Sequence, residues 1–546
     1  MNLNALHGFG RYTRFIARRE RLSGLLWLVG LVFVTAAVTA MYPSIFGTDA
    51  ELLGLGYMLE TPGMAAIMGP AYGLRPGIIT PTMLMAQEML LWLFLVVAVM
   101  NIFFINRLTR RDEERGRLEM LRGLPLGRLT NAASALFSAF ILNMAVSVAM
   151  TAALTAVNAP GTTLAGALSF SLAIGILGFF FAAIALLAAQ LSSTERGASA
   201  LAFLIMGALY LIRAAADASY AANGGSDTFL ACVSPMGLGL RVFSFYENNF
   251  WPLLIIFIEA AVIAAAALFI CSRRDLGEGI VPARKGRVNA PAWMLSPLGL
   301  IWRLSRGGFI AWFAAFLALG LSYGTVLGDL DSFLGSNDTF SQIIIAGMAE
   351  GVKATMAEGY VAMVFMLMSI VASVPVIGAV TKAVSEERRG RMEQIYGRAV
   401  SRAGIFLSCI AVAVAESLAM PLAIALGAYA VSAGLGIIPP AMYFKAALVY
   451  APAMLAFAGL AALLAGLWPR LKSLIWVYLG YSLFVLWLGR VLKLPDFFAK
   501  LTPYGHIAQI PVQEFKALPL IILSAIAVAL AAAGVIGYGK RDIGAS

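Results

Sequence analysis

The sequence predicts an all-α polytopic membrane protein of about twelve transmembrane helices, built as two tandem six-helix halves with pseudo-twofold symmetry along the membrane normal. Three observations predict this. Of 546 residues, 61% are hydrophobic and only 12% charged, whereas a soluble chain averages roughly a quarter charged. Apolar runs long enough to span a bilayer recur along the whole chain, and one charged segment appears twice, about half a chain apart.

Crossing a hydrocarbon core of about 30 Å takes about 20 apolar residues. Such runs lie near 23–42, 83–105, 131–157, 164–190, 198–216, 251–271, 307–327, 357–381, 403–432, 441–467, 473–490 and 517–538. They divide the chain into an N-terminal segment (1–22), a first six-span half (23–271), a polar Gly- and Pro-containing linker (272–300) and a second half (301–546). In the N-terminal segment Phe9, Tyr12, Phe15 and Ile16 alternate with arginines, the pattern of an elbow helix lying in the membrane interface. A cleavable signal is the alternative, but the following run of about 19 apolar residues is longer than a signal core.

The net charge of +11 reports topology rather than a nucleic-acid ligand, because 30 of the 39 Lys and Arg fall in alternate loops if both termini are cytoplasmic. This is the positive-inside pattern, and it places the chain as a multi-pass protein of the inner (cytoplasmic) cell membrane, in contact with its lipids. Cys232, Cys271 and Cys409 are far apart, and His7 and His506 are the two histidines. Neither a CxxC site, an imidazole metal site nor a His-dependent triad can be built from them.

The loop after the second span, DEERGRLEMLRGLPLGR (112–128), returns as EERRGRMEQIYGRAVSR (386–402), 274 residues later. Gly116 meets Gly390, Arg115 meets Arg389, Arg117 meets Arg391 and Glu119 meets Glu393. Leu118 and Leu121 meet Met392 and Ile395, so each copy keeps an apolar pair three residues apart on one helical face. A second pair, SPMGLGLRVFSFYENNFWP (234–252) and TPYGHIAQIPVQEFKALP (502–519), precedes the last span of each half, and Arg213 and Arg490 lie near the ends of the fifth spans. Order kept with small drifts in offset is the mark of tandem duplication.

A phosphate-binding loop has one near match, GVIGYGKR at 534–541. Arg541 stands where a hydroxyl is needed for Mg²⁺, and no strand precedes it. If ATP drives this protein, a separate subunit must bind it.

The repeated segment, with Glu113, Glu114, Gly116 and Glu119 in one copy and Glu387, Gly390 and Glu393 in the other, resembles the coupling helix of type 2 ABC exporter permeases. The whole chain is similar to the fused twelve-span permeases that export polyketide-type antibiotics. The second copy departs from the first at Arg388 and Ala399, which stand where the first has Glu114 and Pro125. The resemblance implies elbow helices near 8–20 and 297–306, short re-entrant helices before each sixth span, and docking of both coupling helices on a cytoplasmic ABC ATPase present in two copies. It implies ATP and Mg²⁺ in that partner, no cofactor or catalytic residue in this chain, and a hydrophobic or amphipathic, drug-like substrate moved outward.

Ionisable groups within spans are functional candidates because hydrocarbon penalises them. Glu88, Glu259 and Glu416 are therefore candidates for a transport path, with internal satisfaction as the competing reading; Arg213 is placed to pair with Asp217 one turn on. Two other functions stay open at this level. A secondary multidrug transporter of the major facilitator type also has six plus six spans, and a membrane enzyme acting on lipid-linked substrates would use acidic loop residues such as Asp49, Glu51, Glu60, Asp329 and Asp331.

Overall fold

A computed structural model describes residues 3–45, 62–72, 79–226, 229–281, 289–328, 356–388, 390–397, 400–436, 438–488 and 495–541, together with Leu52, Gly56 and Glu60. It divides into two units, Met1–Gly286 and Arg287–Ser546. Among the described residues, eleven helices are long and apolar enough to cross a membrane.

The first unit begins with α1 (Phe9–Ile45), followed by the short α2 (Pro62–Met68) and the second span α3 (Pro81–Leu108). Two short helices, α4 (Arg110–Glu114) and α5 (Arg117–Arg122), lead to the spans α6 (Thr130–Val157), α7 (Leu164–Leu191) and α8 (Glu195–Ala222). Short α9 (Phe229–Val233) and α10 (Pro235–Leu240) stand where re-entrant helices are expected, before the sixth span α11 (Trp251–Arg273).

One boundary differs from the sequence reading. The segment 1–22 is not a separate elbow: α1 runs without a break from Phe9 into the first span. No Gly or Pro interrupts the chain between Arg11 and Ser23, so nothing stops the intrahelical hydrogen bonds there. At 1.5 Å per residue α1 is roughly 55 Å long, and it reaches well beyond the hydrocarbon with its arginine-rich end.

The fourth span, α7, is the hub of this unit, with 83% of its apolar window buried against α3, α6, α8 and α11. Small residues make that possible. A Cβ on Gly178 would meet Asn143 Oδ1 at 2.1 Å, and one on Gly175 would meet Ser147 Oγ at 2.1 Å. Beneath them Asn101 on α3 and Asn143 on α6 exchange amide hydrogen bonds at 3.1 and 2.8 Å, satisfying groups that hydrocarbon would otherwise leave unpaired.

The second unit repeats the order: α12 (Pro297–Gly328), α13 (Met356–Glu387), the short α14 (Glu393–Tyr396) and α15 (Arg402–Ser432). Here too the expected elbow, 297–306, is continuous with its span. The fourth span, Pro440–Leu467, is one apolar stretch as the sequence reading has it, broken at 449–450 into α16 (Pro440–Leu448) and α17 (Ala451–Leu467). Pro452 occupies the first turn of α17 and supplies no N–H to continue the helix behind it. Then come α18 (Leu474–Leu488), apolar but shorter than the other spans, α19 (Asp496–Lys500) and α20 (Ala517–Lys540).

Glycines bring the helices of this unit into backbone contact. A Cβ on Gly320 would meet Ile424 O at 2.3 Å, and one on Gly466 would meet Gly534 O at 2.1 Å. Gly534, the first glycine of the phosphate-loop near match, is thus a packing residue on α20 facing α17.

Candidate functional site: the paired charged segments

The α3 helix closes at Thr109, whose hydroxyl returns to Ile105 O at 2.7 Å. After α4 the chain reverses at Gly116, φ +69°, and enters α5. The second copy turns at Gly390, also with φ +69°. A Cβ at either glycine would find no heavy atom within 4 Å. Glycine is needed there for the left-handed backbone, not for space.

The apolar pairs face inward. Leu118 and Met392 are buried, at 6% and 2% exposure, while Leu121 and Ile395 are half-buried against the cores of their units. Glu114, Arg115, Arg117 and Glu119 are exposed on the first segment, and Arg391 and Glu393 on the second. Arg389 lies outside the described residues. Glu114 accepts the N–H of Glu195 at 2.8 Å, at the start of the fifth span.

Glu113, by contrast, is an internal brace. Its Oε1 accepts Arg274 Nη1 at 2.9 Å and the Gly277 N–H at 2.7 Å, and its Oε2 accepts Arg274 Nη2 at 2.8 Å. Arg110, 1% exposed, pairs with the same carboxylate at 2.8 Å. A neighbouring cavity of about 20 Å³, room for one water, is lined by Glu113, Arg128, Gln190 and Arg274 among others. In the second copy Glu387 accepts Arg541 and the Tyr538 hydroxyl, the latter at 3.3 Å.

Sequence reasoning missed the acid that precedes each of these. Asp112 accepts Arg19 at 2.6 Å and Arg117 at 3.3 Å; Glu386 accepts Arg391 at 3.0 Å. The signal was present, since Asp112 and Glu386 open the two copies of the repeat. The Asp112–Arg19 pair, with Arg107–Glu20 at 3.1 Å, ties α1 to the first segment. In the second half Lys382 on α13 ties that span to α12, donating to Leu304 O at 2.5 Å and Ser305 Oγ at 2.9 Å.

The intramembrane candidates are dispersed over three helices. Glu88 on α3 accepts the Tyr42 hydroxyl from α1. Glu259 on α11 is half-buried and makes no hydrogen bond or ion pair with any described residue. Glu416 on α15 is 4% exposed, and its Oε2 has no partner among the described residues. Arg213 does pair with Asp217, at 3.2 Å, and Arg241 of the segment following α10 joins the same carboxylate at 2.9 Å. That cluster locks the fifth span to the short helices before the sixth. Arg490 lies outside the described residues. A separate apolar groove of about 340 Å³ runs between α1, α3 and α6, lined by Ile16, Leu25, Leu28, Phe104, Ile141 and Leu142, with Glu20 and Arg21 also on its wall.

An all-helical chain with this many candidate spans and a braced segment repeated in each half has the architecture of a polytopic membrane protein. The family described as "Multidrug efflux system permease Rv1217c, C-terminal domain" matches residues 294–539. The multidrug efflux system permease protein Rv1217c of Mycobacterium tuberculosis (strain ATCC 25618 / H37Rv) is 30% identical over 547 residues, covering 97% of this chain and 94% of its own length. The chain belongs to this family of efflux permeases, in agreement with the exporter-permease class its cytoplasmic segments resemble.

Proposed function

We propose that the chain is the membrane-spanning subunit of an ABC-type exporter, moving hydrophobic or amphipathic drug-like compounds outward across the cytoplasmic membrane. Energy comes from a separate cytoplasmic ATPase, two copies of which hold the ATP and Mg²⁺. Both termini of the permease lie on the ATPase side. The observation that carries this reading is the pair of segments turning at Gly116 and Gly390. Each is held from within by buried acids and leaves one carboxylate, Glu119 or Glu393, exposed and without a partner among the described residues.

The apolar groove between α1, α3 and α6 supports the substrate class, because an apolar wall with a charged edge suits an amphipathic compound. Glu88, Glu259 and Glu416 remain the candidates for a polar path.

The test is co-expression with a candidate ABC ATPase from the same genome, followed by co-purification and transport of a lipophilic dye into inverted vesicles. Glu119→Ala and Glu393→Ala are expected to insert normally and to lower ATP-driven transport, the double variant most. Dye uptake by the chain alone, driven by a proton gradient and indifferent to ATP, overturns the proposal in favour of a secondary transporter.

A further inference from the structure

Each sixth span ends on an arginine whose side chain and backbone are both held by the cytoplasmic segment of its own half. Arg274 is the residue after α11, and Arg541 the residue after α20. The Arg274 guanidinium grips Glu113 through two parallel bonds, and the Arg274 carbonyl accepts Arg128 Nη2 at 2.7 Å. In the second half the Arg541 guanidinium grips Glu387, and the Arg541 carbonyl accepts Arg402 Nη1 at 3.0 Å.

The acids are 274 residues apart, and so are the arginines Arg128 and Arg402. In both halves, therefore, the acid at the start of the segment takes the side chain while the arginine at its end takes the carbonyl. The segment closes as a ring around the last turn of the sixth span. Both acid side chains are 5% exposed, and their arginines are 9% and 15% exposed. A carbonyl at a helix end has no intrahelical partner, so the second bond satisfies a group that the span itself leaves open.

We propose that Glu113–Arg274 and Glu387–Arg541 are paired latches that couple each cytoplasmic segment to the sixth span of its half. Pressed by a partner, a loop anchored solely to the second and third spans would yield by bending at its glycine. A buried ion pair, bidentate at Glu113–Arg274 and a single contact at Glu387–Arg541, transmits displacement because it either moves as a unit or breaks. Motion at the segment therefore reaches the sixth span directly, and through it the short helices at the other end. These four side chains are positioning residues; none needs to touch the substrate or the ATPase. The inference rests on the proposed ATPase coupling for its direction, although the tie itself does not.

The experiment uses the full chain co-purified with its ATPase in lipid nanodiscs, and follows hydrogen–deuterium exchange at 386–397 and at 533–541 with and without ATP, Mg²⁺ and vanadate. Wild type is expected to change at both segments. In Glu387→Gln and Arg541→Gln the change at 386–397 persists while that at 533–541 is lost, and the double variant matches either single one. Arg541→Lys, which keeps a charge able to pair, is expected to retain part of the response. An undiminished nucleotide response at 533–541 in the two Gln variants overturns the latch. Were wild type to show no nucleotide response at 386–397, the ATPase reading would fail. The tie would then be judged on the isolated chain, where non-additive loosening of the two segments supports it and additive loosening refutes it.

Discussion

The two repeated segments share an acid–arginine brace and differ at their tips. On the first, Met120 within the six-residue α5 is 73% exposed and Leu124, just past its end, 57% exposed. On the second, α14 has four residues. Gln394 stands exposed where the first copy has Met120, and Arg398 occupies the register of Leu124. Tyr396, in the register of Arg122, turns inward to share a hydrogen bond of 2.8 Å with Tyr538. After duplication, the acid–arginine brace was kept, with a different set of partners in each copy, while the outward face diverged. The lesson is that support and outward surface are separable in this motif, and that the two copies present one apolar and one polar tip.

The largest effect expected is on the braces, and it should be unequal. Glu113→Gln leaves Arg110 and Arg274 buried without their carboxylate, and breaking such a pair costs about 3–5 kcal/mol. Glu387 serves Arg541 and Tyr538, and Arg541 also lies over the Tyr538 ring at 4.7 Å. Loss there should cost less, about 1–3 kcal/mol. Two cysteines report the difference in a Cys232→Ser background: half-buried Cys271 borders the first brace, and buried Cys409 lies in the second unit. Glu113→Gln should lower the temperature at which Cys271 reacts with a thiol dye by more than Glu387→Gln lowers that of Cys409. Equal shifts would remove the asymmetry.

The glycines should behave alike. Gly116→Ala and Gly390→Ala each force an L residue into left-handed backbone, at a cost of about 1–2 kcal/mol, with no clash to add in either copy. Dye transport should fall by a similar factor in both. A loss confined to one copy would show that the two turns are not doing the same work.

Much of the fold was legible because it follows from composition. Span-length apolar runs and a doubled charged loop are one-dimensional signals, and short helical turns, Pro235–Leu240 and Pro503–His506, lie where SPMG and TPYG mark them. What stayed hidden depends on distant partners. Glu113 looked like a surface charge because its neighbours in sequence are charged; the groups that bury it, Arg274 and Gly277, are more than 160 residues away. The same distance hid Arg541, which drew notice as the defective last position of a phosphate loop and is instead the partner of Glu387. The elbow boundaries failed for another reason. An amphipathic stretch next to an apolar one shows where the environment changes, but a helix bends there only if something interrupts its hydrogen bonds.

The smallest effect is the one that addresses the tips. An exposed methionine is adaptable apolar surface, and it stabilises a complex only if the partner buries it. Met120→Ser should then weaken capture of the ATPase by about 1 kcal/mol, roughly fivefold in Kd, while Gln394→Ser should change it by less than about twofold. Titration of detergent-purified permease with the ATPase, read by a label on the ATPase, separates these values. Both substitutions are on exposed positions, so the braces and the fold are untouched and the readout is contact alone. If Gln394→Ser proves as costly as Met120→Ser, the partner treats the two tips as equivalent, and the divergence of their side chains carries no preference for one copy. If the values split as expected, the first segment supplies the apolar grip, and the second, tied inward through Tyr396 and Glu387, meets the partner through polar groups that can release and re-form more readily.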